Sequence, residues 1–321
     1  MTAYPDPARV KRIAVIGGGP IGAGWSAHFL ARGYDVACYL HGRDERRAFD
    51  AVVDTAWHSL EALGIKAGAS RRRLTMAFEL AAAVGGAEFV QECAPESLAL
   101  KQDLYATLGA IVPAEVVIAS STSGLTMSAI QARCATPERT VVGHPFNPPY
   151  LLPLVEIVGG DRTSPRAVQW AEAFYRAAGK APLVLEREVP GFIATRLQEA
   201  LLREALHMVA NGEATPRQID AALINGPAPR MAVLGQCMAF HVACGEGGMA
   251  TNLDQFGAAL KLPWTRLDAP ELTARLRDRM VDGCAEMAAG RGFEELAAER
   301  DRRIVGVLRA AAGVAEADAA K

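Results

Sequence analysis

The sequence predicts an α/β fold with a doubly wound sheet, followed by an all-α C-terminal domain. Short β-branched runs alternate with helical patterns through the first half of the chain, which is typical of a mainly parallel sheet. A glycine-rich loop joins the first run to the first helix, and after Pro190 only helical patterns remain. We therefore expect an α/β domain at residues 1–188 and an all-α domain at residues 189–321.

The first predicted elements are a strand at Arg12–Ile16 and a helix that extends to Ala31. The loop between them reads Gly-Gly-Gly-Pro-Ile-Gly, a GxGxxG pattern that gains specificity from its place between a strand and a helix. Its backbone N–H groups would face a pyrophosphate, so we expect a Rossmann-type domain that binds a dinucleotide; the alternative is a plain glycine-rich turn. The predicted cofactor contacts are Gly17, Gly19, Pro20, Ile21 and Gly22.

The end of the second predicted strand, Asp35–Tyr39, bears on the choice of cofactor. NAD-binding domains carry an acid there that accepts hydrogen bonds from the ribose hydroxyls, but this chain has Leu40, followed by Arg43. Without the acid nothing repels a 2′-phosphate, and Arg43 could bind one, so the pattern favours NADP over NAD. In the alternative, Arg43 belongs to the solvated face of the next helix and NAD binds through the remaining contacts.

Further strand patterns continue the α/β alternation at residues 74–76, 88–93, 116–119, 140–144, 154–158 and 182–185. Three polar residues, Glu96, Lys101 and Ser123, follow predicted strands, and ligands bind beyond the carboxyl ends of the strands in open α/β sheets. We expect these side chains near a bound cofactor or substrate. The alternative is that each caps a helix or is a surface charge.

The predicted chemistry centres on two apolar runs that a proline-rich turn connects. His144 ends the first run and Glu156 lies inside the second, so two strands that fold back on each other would bring the side chains together. A buried carboxylate is costly unless it is paired, and an imidazole paired with a carboxylate can accept a proton near neutral pH. We expect a catalytic His–Glu dyad; a structural hydrogen bond in the core is the alternative.

The second half of the chain shows amphipathic helical patterns. An apolar stripe begins at Ile193 and recurs at helical spacing to Met208, and Thr215 with Gln218 forms a capping-box signal. Long apolar faces on such helices favour a subunit interface, so we expect a homodimer formed through the C-terminal helices.

Composition excludes several classes of protein. The formal net charge of −2 over 321 residues gives no reason to expect nucleic acid as a partner, and no apolar run is long enough to cross a membrane. The six cysteines are scattered without the spacing of a metal site, so we expect reduced thiols, no metal ion and a cytoplasmic location.

Several motifs in order resemble the 3-hydroxyacyl-CoA dehydrogenase superfamily. They are GGGPIGAGW (17–25), QECAPESLALK (91–101), SSTSG (120–124), GHPFNPP (143–149), LVEIVGG (154–160) and VPGFIATRLQEAL (189–201). The resemblance implies that His144 is the general base or acid, that Glu156 is its partner and that Ser123 contacts the substrate. It also implies that Glu96 and Lys101 lie near the nicotinamide and the substrate.

One position departs from the superfamily's pattern, because Thr195 stands where an Asn or Asp usually precedes Arg-Leu. A threonine has a shorter side chain but still donates and accepts a hydrogen bond, so we retain Thr195 as a substrate contact.

Within the superfamily, the segment 256–272 is most similar to the L-carnitine 3-dehydrogenases. The lambda-crystallin and gulonate dehydrogenase group is the second most similar. This implies a short 3-hydroxy acid as substrate, with L-carnitine oxidised to 3-dehydrocarnitine. A coenzyme A thioester, a gulonate-type acid and a crystallin-like structural role stay as alternatives. Carnitine's quaternary ammonium would need aromatic faces, for which the chain offers Trp25, Phe146, Tyr150, Phe192, Phe240 and Trp264. Met231 and Cys237 stand where carnitine dehydrogenases tend to have aromatic residues.

Overall fold

The computed structural model describes residues 4–232, 235–244 and 248–256, together with scattered positions between 265 and 310. The chain divides into two compact units, Met1–Ile193 and Ala194–Lys321. Most of the segment 256–272, including Trp264, lies outside the described residues. No helix in the described part of the chain is long and apolar enough to cross a membrane.

The first unit contains an eight-stranded sheet in the order β3-β2-β1-β4-β5-β6-β7-β8. Neighbouring strands are parallel except β6 and β7, which are antiparallel. The strands are β1 (Arg12–Ile16), β2 (Asp35–Tyr39), β3 (Leu74–Ala77), β4 (Phe89–Glu92), β5 (Val117–Ser120), β6 (Thr140–Pro145), β7 (Leu154–Gly159) and β8 (Ala181–Val184).

Six helices connect these strands: α1 (Pro20–Ala31), α2 (Arg46–Leu63), α3 (Leu80–Val84), α4 (Leu98–Ile111), α5 (Met127–Ile130) and α6 (Pro165–Ala177). The central strands are buried on both faces, as in parallel sheets that helices cover on both sides. The predicted Rossmann-type fold is therefore confirmed.

Strand register aligns the carboxyl ends of the central strands at one edge of the sheet. Ile16 of β1 pairs with Glu92 of β4, and Glu92 pairs with Ser120 of β5. Ser120 pairs with Val142, so β6 continues beyond its neighbour and carries His144 at the same edge. Polar groups that are distant in the sequence thus converge where an open α/β sheet binds ligands.

The second unit is helical in its described part, with α7 (Ala194–Ala210), α8 (Pro216–Asn225), α9 (Pro227–Met231), α10 (Gln236–Ala243) and α11 (Gly248–Phe256). The predicted capping box is present at the start of α8, where Thr215 accepts from the Gln218 N–H and Gln218 accepts from the Thr215 N–H.

Two local predictions differ from the structure. The sequence predictions contain no helix at α6, although Ser164 caps its first turn and Pro165 opens it, which is an ordinary start signal. The glycine and prolines between Asn225 and Pro229 favour a loop, but α9 begins at Pro227, because a proline is well suited to a first helical turn.

Candidate active site

The glycine loop after β1 has the geometry of a phosphate-binding turn. Gly17 adopts φ 114°, and a Cβ there would lie 2.6 Å from the carbonyl oxygen of Cys93. A Cβ on Gly22 would collide with the Gly17 carbonyl, so helix and loop pack closely only without a side chain. In contrast, a Cβ on Gly19 would meet nothing within 4 Å, which leaves its backbone open to a ligand.

A cleft of about 800 Å³ lies beside this loop. Gly17, Gly19, Pro20 and Ile21 line it, together with residues from the ends of β2 and β4. Gly19 caps α1 without a side-chain hydrogen bond, so the first N–H groups of the helix stay available to an anion. The cleft therefore fits the pyrophosphate of a dinucleotide.

The two residues from which the sequence predicted NADP both lie away from this cleft. Leu40 is fully buried, with its side chain packed against Gly18 under the loop. Arg43 places its guanidinium 4.6 Å from the centre of the Phe78 ring. His41 and Glu45 line the cleft instead, and the sequence predictions did not single out either residue.

Lys101 is buried and forms an ion pair that anchors the corner between β4 and α4. Its Nζ donates to Glu92 Oε1 at 2.7 Å and to the carbonyl of Ala94 at 3.1 Å. The other oxygen of Glu92 accepts from Ser120 Oγ at 2.5 Å. The Lys101 side chain is only 1% exposed. Lys101 would therefore affect a bound cofactor indirectly, by holding the β4–α4 corner in place, rather than through a direct contact of its ammonium group.

Glu96 joins the loop after β4 to the loop after β5. Its Oε1 accepts from Thr122 Oγ1 at 2.6 Å and from the backbone N–H groups of Ser123 and Gly124 at 3.1 Å. The Ser123 hydroxyl is on the exposed side of this loop. Glu96 thus holds the segment that presents the Ser123 hydroxyl.

His144 and Glu156 meet as predicted. They are direct partners in the antiparallel register of β6 and β7, and His144 Nδ1 lies 2.9 Å from Glu156 Oε2. Glu156 is fully buried and His144 is 5% exposed. A carboxylate can only accept, so Nδ1 is the donor in this contact and Nε2 is the ring nitrogen that remains for another partner.

The dyad has further contacts at the end of the first unit. Glu156 Oε1 accepts from the N–H of Ile193 at 2.9 Å, and the ring of Phe192 lies 5.1 Å from the His144 ring. Phe192 has φ 51°, a left-handed conformation that is uncommon for residues other than glycine. This backbone geometry therefore places both an N–H donor and an aromatic ring against the dyad.

Lys180 supports the turn between β6 and β7, a role that the sequence did not suggest. Its Nζ donates to the carbonyls of Pro149 and Leu152 and lies 5.0 Å from the centre of the Trp25 ring. Burial, with a smaller contribution from Arg32, lowers the pKa of Lys180 to about 7. No carboxylate forms an ion pair with Lys180 in the described part of the chain.

Other predicted site residues belong to the second unit. Thr195 lies in the first turn of α7, and Met231 and Cys237 are exposed at α9 and α10. Their predicted relation to a substrate stays a prediction. Among the described residues, no group of three or more His, Cys, Asp or Glu side chains could hold a metal ion.

Comparison with protein-family models gives matches over most of the chain. The 3-hydroxyacyl-CoA dehydrogenase NAD binding domain matches residues 12–189, and the 3-hydroxyacyl-CoA dehydrogenase C-terminal domain matches residues 191–294. The resemblance inferred from the motifs is confirmed.

Curated relatives match at high identity. L-carnitine dehydrogenase from Nocardiopsis dassonvillei is 56% identical over 99% of this chain and 97% of its own length. L-carnitine dehydrogenase from Streptomyces griseus is 58% identical over 95% of this chain and 91% of its own length.

Solved structures show the same architecture. A 5-formyl-3-hydroxy-2-methylpyridine 4-carboxylic acid 5-dehydrogenase, described as an NAD⁺-dependent dismutase, matches with a TM-score of 0.81 and 27% identity, over 95% of this chain and 99% of its own. The 3-hydroxybutyryl-CoA dehydrogenase of Escherichia coli matches with a TM-score of 0.63 and 26% identity, over 86% of this chain and 57% of its own. The chain therefore belongs to the 3-hydroxyacyl-CoA dehydrogenase family and is an NAD(P)-dependent oxidoreductase that acts on the CH–OH group of a 3-hydroxy acid.

Proposed function

We propose that this protein oxidises L-carnitine to 3-dehydrocarnitine, with His144 as the general base and Glu156 as its partner. The names of relatives that are 56% and 58% identical over nearly the whole chain support this substrate. The observation that carries the mechanism is the 2.9 Å contact between His144 Nδ1 and Glu156 Oε2.

Because Nδ1 contacts Glu156, the Nε2 nitrogen of His144 remains to contact the substrate. Because Nδ1 donates to the buried carboxylate, Nε2 is unprotonated and can accept the hydroxyl proton of the substrate. A nicotinamide held at the glycine loop would supply the acceptor for the hydride that leaves the carbon carrying this hydroxyl. The positive charge that forms on the ring is then stabilised by Glu156, whose second oxygen accepts a hydrogen bond from the Ile193 N–H.

The exposed Ser123 hydroxyl and the Thr195 side chain are proposed to hydrogen-bond the substrate's oxygen. Glu96 fixes the first of these positions through the backbone N–H of Ser123. In this proposal Lys101 acts indirectly, because its ammonium is committed to Glu92 beneath the same loops. It is a positioning residue rather than a ligand contact.

A quaternary ammonium needs an aromatic face that is free to receive it. Of the candidates from the first unit, Trp25 is fully buried against Phe29, and Tyr150 and Phe192 are also buried. Phe146 is half-buried and its ring lies 6.1 Å from the His144 ring. We therefore assign the proposed contact with the ammonium group to Phe146.

The oligomer and its location also form part of the proposal. The exposed leucines of α7, which include Leu197 at 64% and Leu201 at 50%, favour a homodimer through the C-terminal helices. The five described cysteines are unpaired, which favours a reducing cytoplasm. Sedimentation equilibrium would test the dimer, because a mass of one chain at micromolar concentration contradicts it.

Turnover of a substrate panel, followed by nicotinamide absorbance, tests the proposed reaction. We expect NAD(P)-dependent oxidation of L-carnitine and reduction of dehydrocarnitine, with little activity towards acetoacetyl-CoA. The His144→Gln variant should lose about 10²–10⁴-fold in kcat, because the general base is gone. Cofactor binding, measured by fluorescence titration, should stay near that of the wild type.

His58→Gln is the matched control, since His58 is an exposed residue of α2 that bonds only the Asp54 carbonyl in the described structure. Its kcat should be unchanged. A His144→Gln variant with nearly full turnover would contradict the assigned base. Turnover of acetoacetyl-CoA in preference to dehydrocarnitine would replace the substrate with a coenzyme A thioester.

A further inference from the structure

The cleft beside the glycine loop contains one acidic side chain, Glu45, that no residue of the described structure neutralises. Glu45 closes a short 3-10 turn, Arg43–Glu45, between β2 and α2. Its Oε2 lies 3.4 Å from the point where a Cβ on Gly18 would stand. No hydrogen bond or ion pair engages its carboxylate within the described ranges, and the side chain is half-buried.

The residue that follows β2 is an apolar leucine, so it does not supply the carboxylate that NAD-binding domains carry at this position. Leu40 is fully buried under Gly18 and presents no polar atom to the cleft. Glu45 reaches the same glycine from the next turn of the chain. A carboxylate at this place has the acceptor oxygens that a vicinal diol requires, and it is not committed to another donor.

We infer that Glu45 binds the adenosine ribose hydroxyls of NAD and makes the protein select NAD over NADP. The inference rests on the proposed function only in its use of a nicotinamide dinucleotide. Two hydroxyls can donate to the two carboxylate oxygens, and such charge-assisted hydrogen bonds are strong. A 2′-phosphate in the same place would bring like charges together and would remove one donor.

The neighbouring charges do not offset this selection. Arg43, which could have bound a 2′-phosphate, stacks on Phe78 and does not line the cleft. Asp44 folds back over its own turn, with Oδ1 close to Gly42. His41 is the other ionisable side chain from this turn that lines the cleft. Glu45 therefore faces the cleft and Asp44 does not, although the two acids are adjacent in the sequence.

Dissociation constants for NADH and NADPH, measured by fluorescence titration without substrate, test the inference. The wild type should bind NADH at least about tenfold more tightly than NADPH. Glu45→Gln should weaken NADH binding by about 10- to 100-fold and strengthen NADPH binding, which abolishes the preference. Asp44→Asn removes an equal charge from the same turn and should leave both constants within about twofold.

The possible results separate this inference from the proposed function. Equal effects of Glu45→Gln and Asp44→Asn, or a wild type that prefers NADPH, would overturn the role of Glu45 while leaving carnitine oxidation intact. Wild-type protein that binds neither dinucleotide would overturn the proposed function itself. Circular dichroism of each variant confirms that a lost affinity does not reflect unfolding.

Discussion

Two corners of the same sheet each bury a carboxylate, and different partners offset the cost of burying it in each corner. At the β4–α4 corner, Glu92 is fully buried against the ammonium of Lys101 and the hydroxyl of Ser120. In the β6–β7 hairpin, Glu156 is also fully buried, but its partners are the imidazole of His144 and the N–H of Ile193.

The difference lies in the kind of partner. The lysine of the first corner forms a buried ion pair with Glu92, so that corner is suited to structural support. The partner in the second corner is an imidazole, and in the proposed mechanism the carboxylate would stabilise the charge that forms on this ring during turnover. One arrangement holds a loop in place, and the other is the proposed site of proton transfer.

The largest effect that tests this comparison is expected for Lys101→Met. The substitution leaves Glu92 buried without a cation, which should lower the free energy of unfolding by about 3–5 kcal/mol. His144→Gln should cost much less stability, because the glutamine amide can still donate to Glu156. Urea unfolding of both variants provides the measurement, and equal losses would remove the distinction between the two corners.

A smaller effect is expected for Ser120→Ala. The hydroxyl donates to Glu92 Oε2 at 2.5 Å, and loss of a hydrogen bond to a buried charge costs about 1.5–3 kcal/mol. In the double variant with Glu92→Gln the cost of removing the hydroxyl should fall, because the carboxylate charge is gone. Chemical denaturation of the four proteins forms a double-mutant cycle, and strict additivity would show that the two side chains are not coupled.

Lys180 is a third buried group for this comparison. Its described hydrogen-bond acceptors are carbonyl oxygens, whereas Lys101 pairs with a carboxylate. Burial, and secondarily the charge of Arg32, lowers the pKa of Lys180 to about 7, and the nearby His28 ring is a further ionisable group in contact with this region. Between about pH 7 and the ordinary lysine pKa near 10.4, the unfolded chain binds the proton that the folded protein has lost.

The stability contribution of Lys180 should therefore rise with pH over that interval, with a slope that approaches about 1.4 kcal/mol per pH unit. Below pH 7 both states are protonated and the contribution should be constant. Guanidinium unfolding at several pH values, with Lys180→Met as the control, isolates the slope. If wild type and variant change in parallel with pH, the buried lysine does not titrate as described.

Much of the fold could be predicted because its signals are local. The β1 and β2 strands begin and end at the predicted residues, and the capping box at Thr215 has the predicted hydrogen bonds. The His–Glu contact could also be predicted, since two adjacent strands joined by a turn place alternate side chains in known relation. Periodicity and turn chemistry are properties of neighbouring residues, so the sequence displays them directly.

The predictions were weaker where a side chain's direction depends on residues far along the chain. The sequence does not reveal that Lys101 pairs with the buried Glu92 or that Arg43 stacks on Phe78, and their contacts with a cofactor stay predictions. Leu40 is under the glycine loop, and Glu45 takes the open position. Nothing in the local pattern distinguishes these orientations, because each depends on which other element occupies the neighbouring space.

The sequence by itself determined the α/β alternation, the glycine loop and the contact between His144 and Glu156 in the hairpin, because hydrophobic period, glycine placement and strand pairing act over short stretches of chain. Only the tertiary structure decided which charges are sealed in and which face the cleft. Burial and electrostatic pairing depend on distances between residues that the fold, rather than the chain order, brings together.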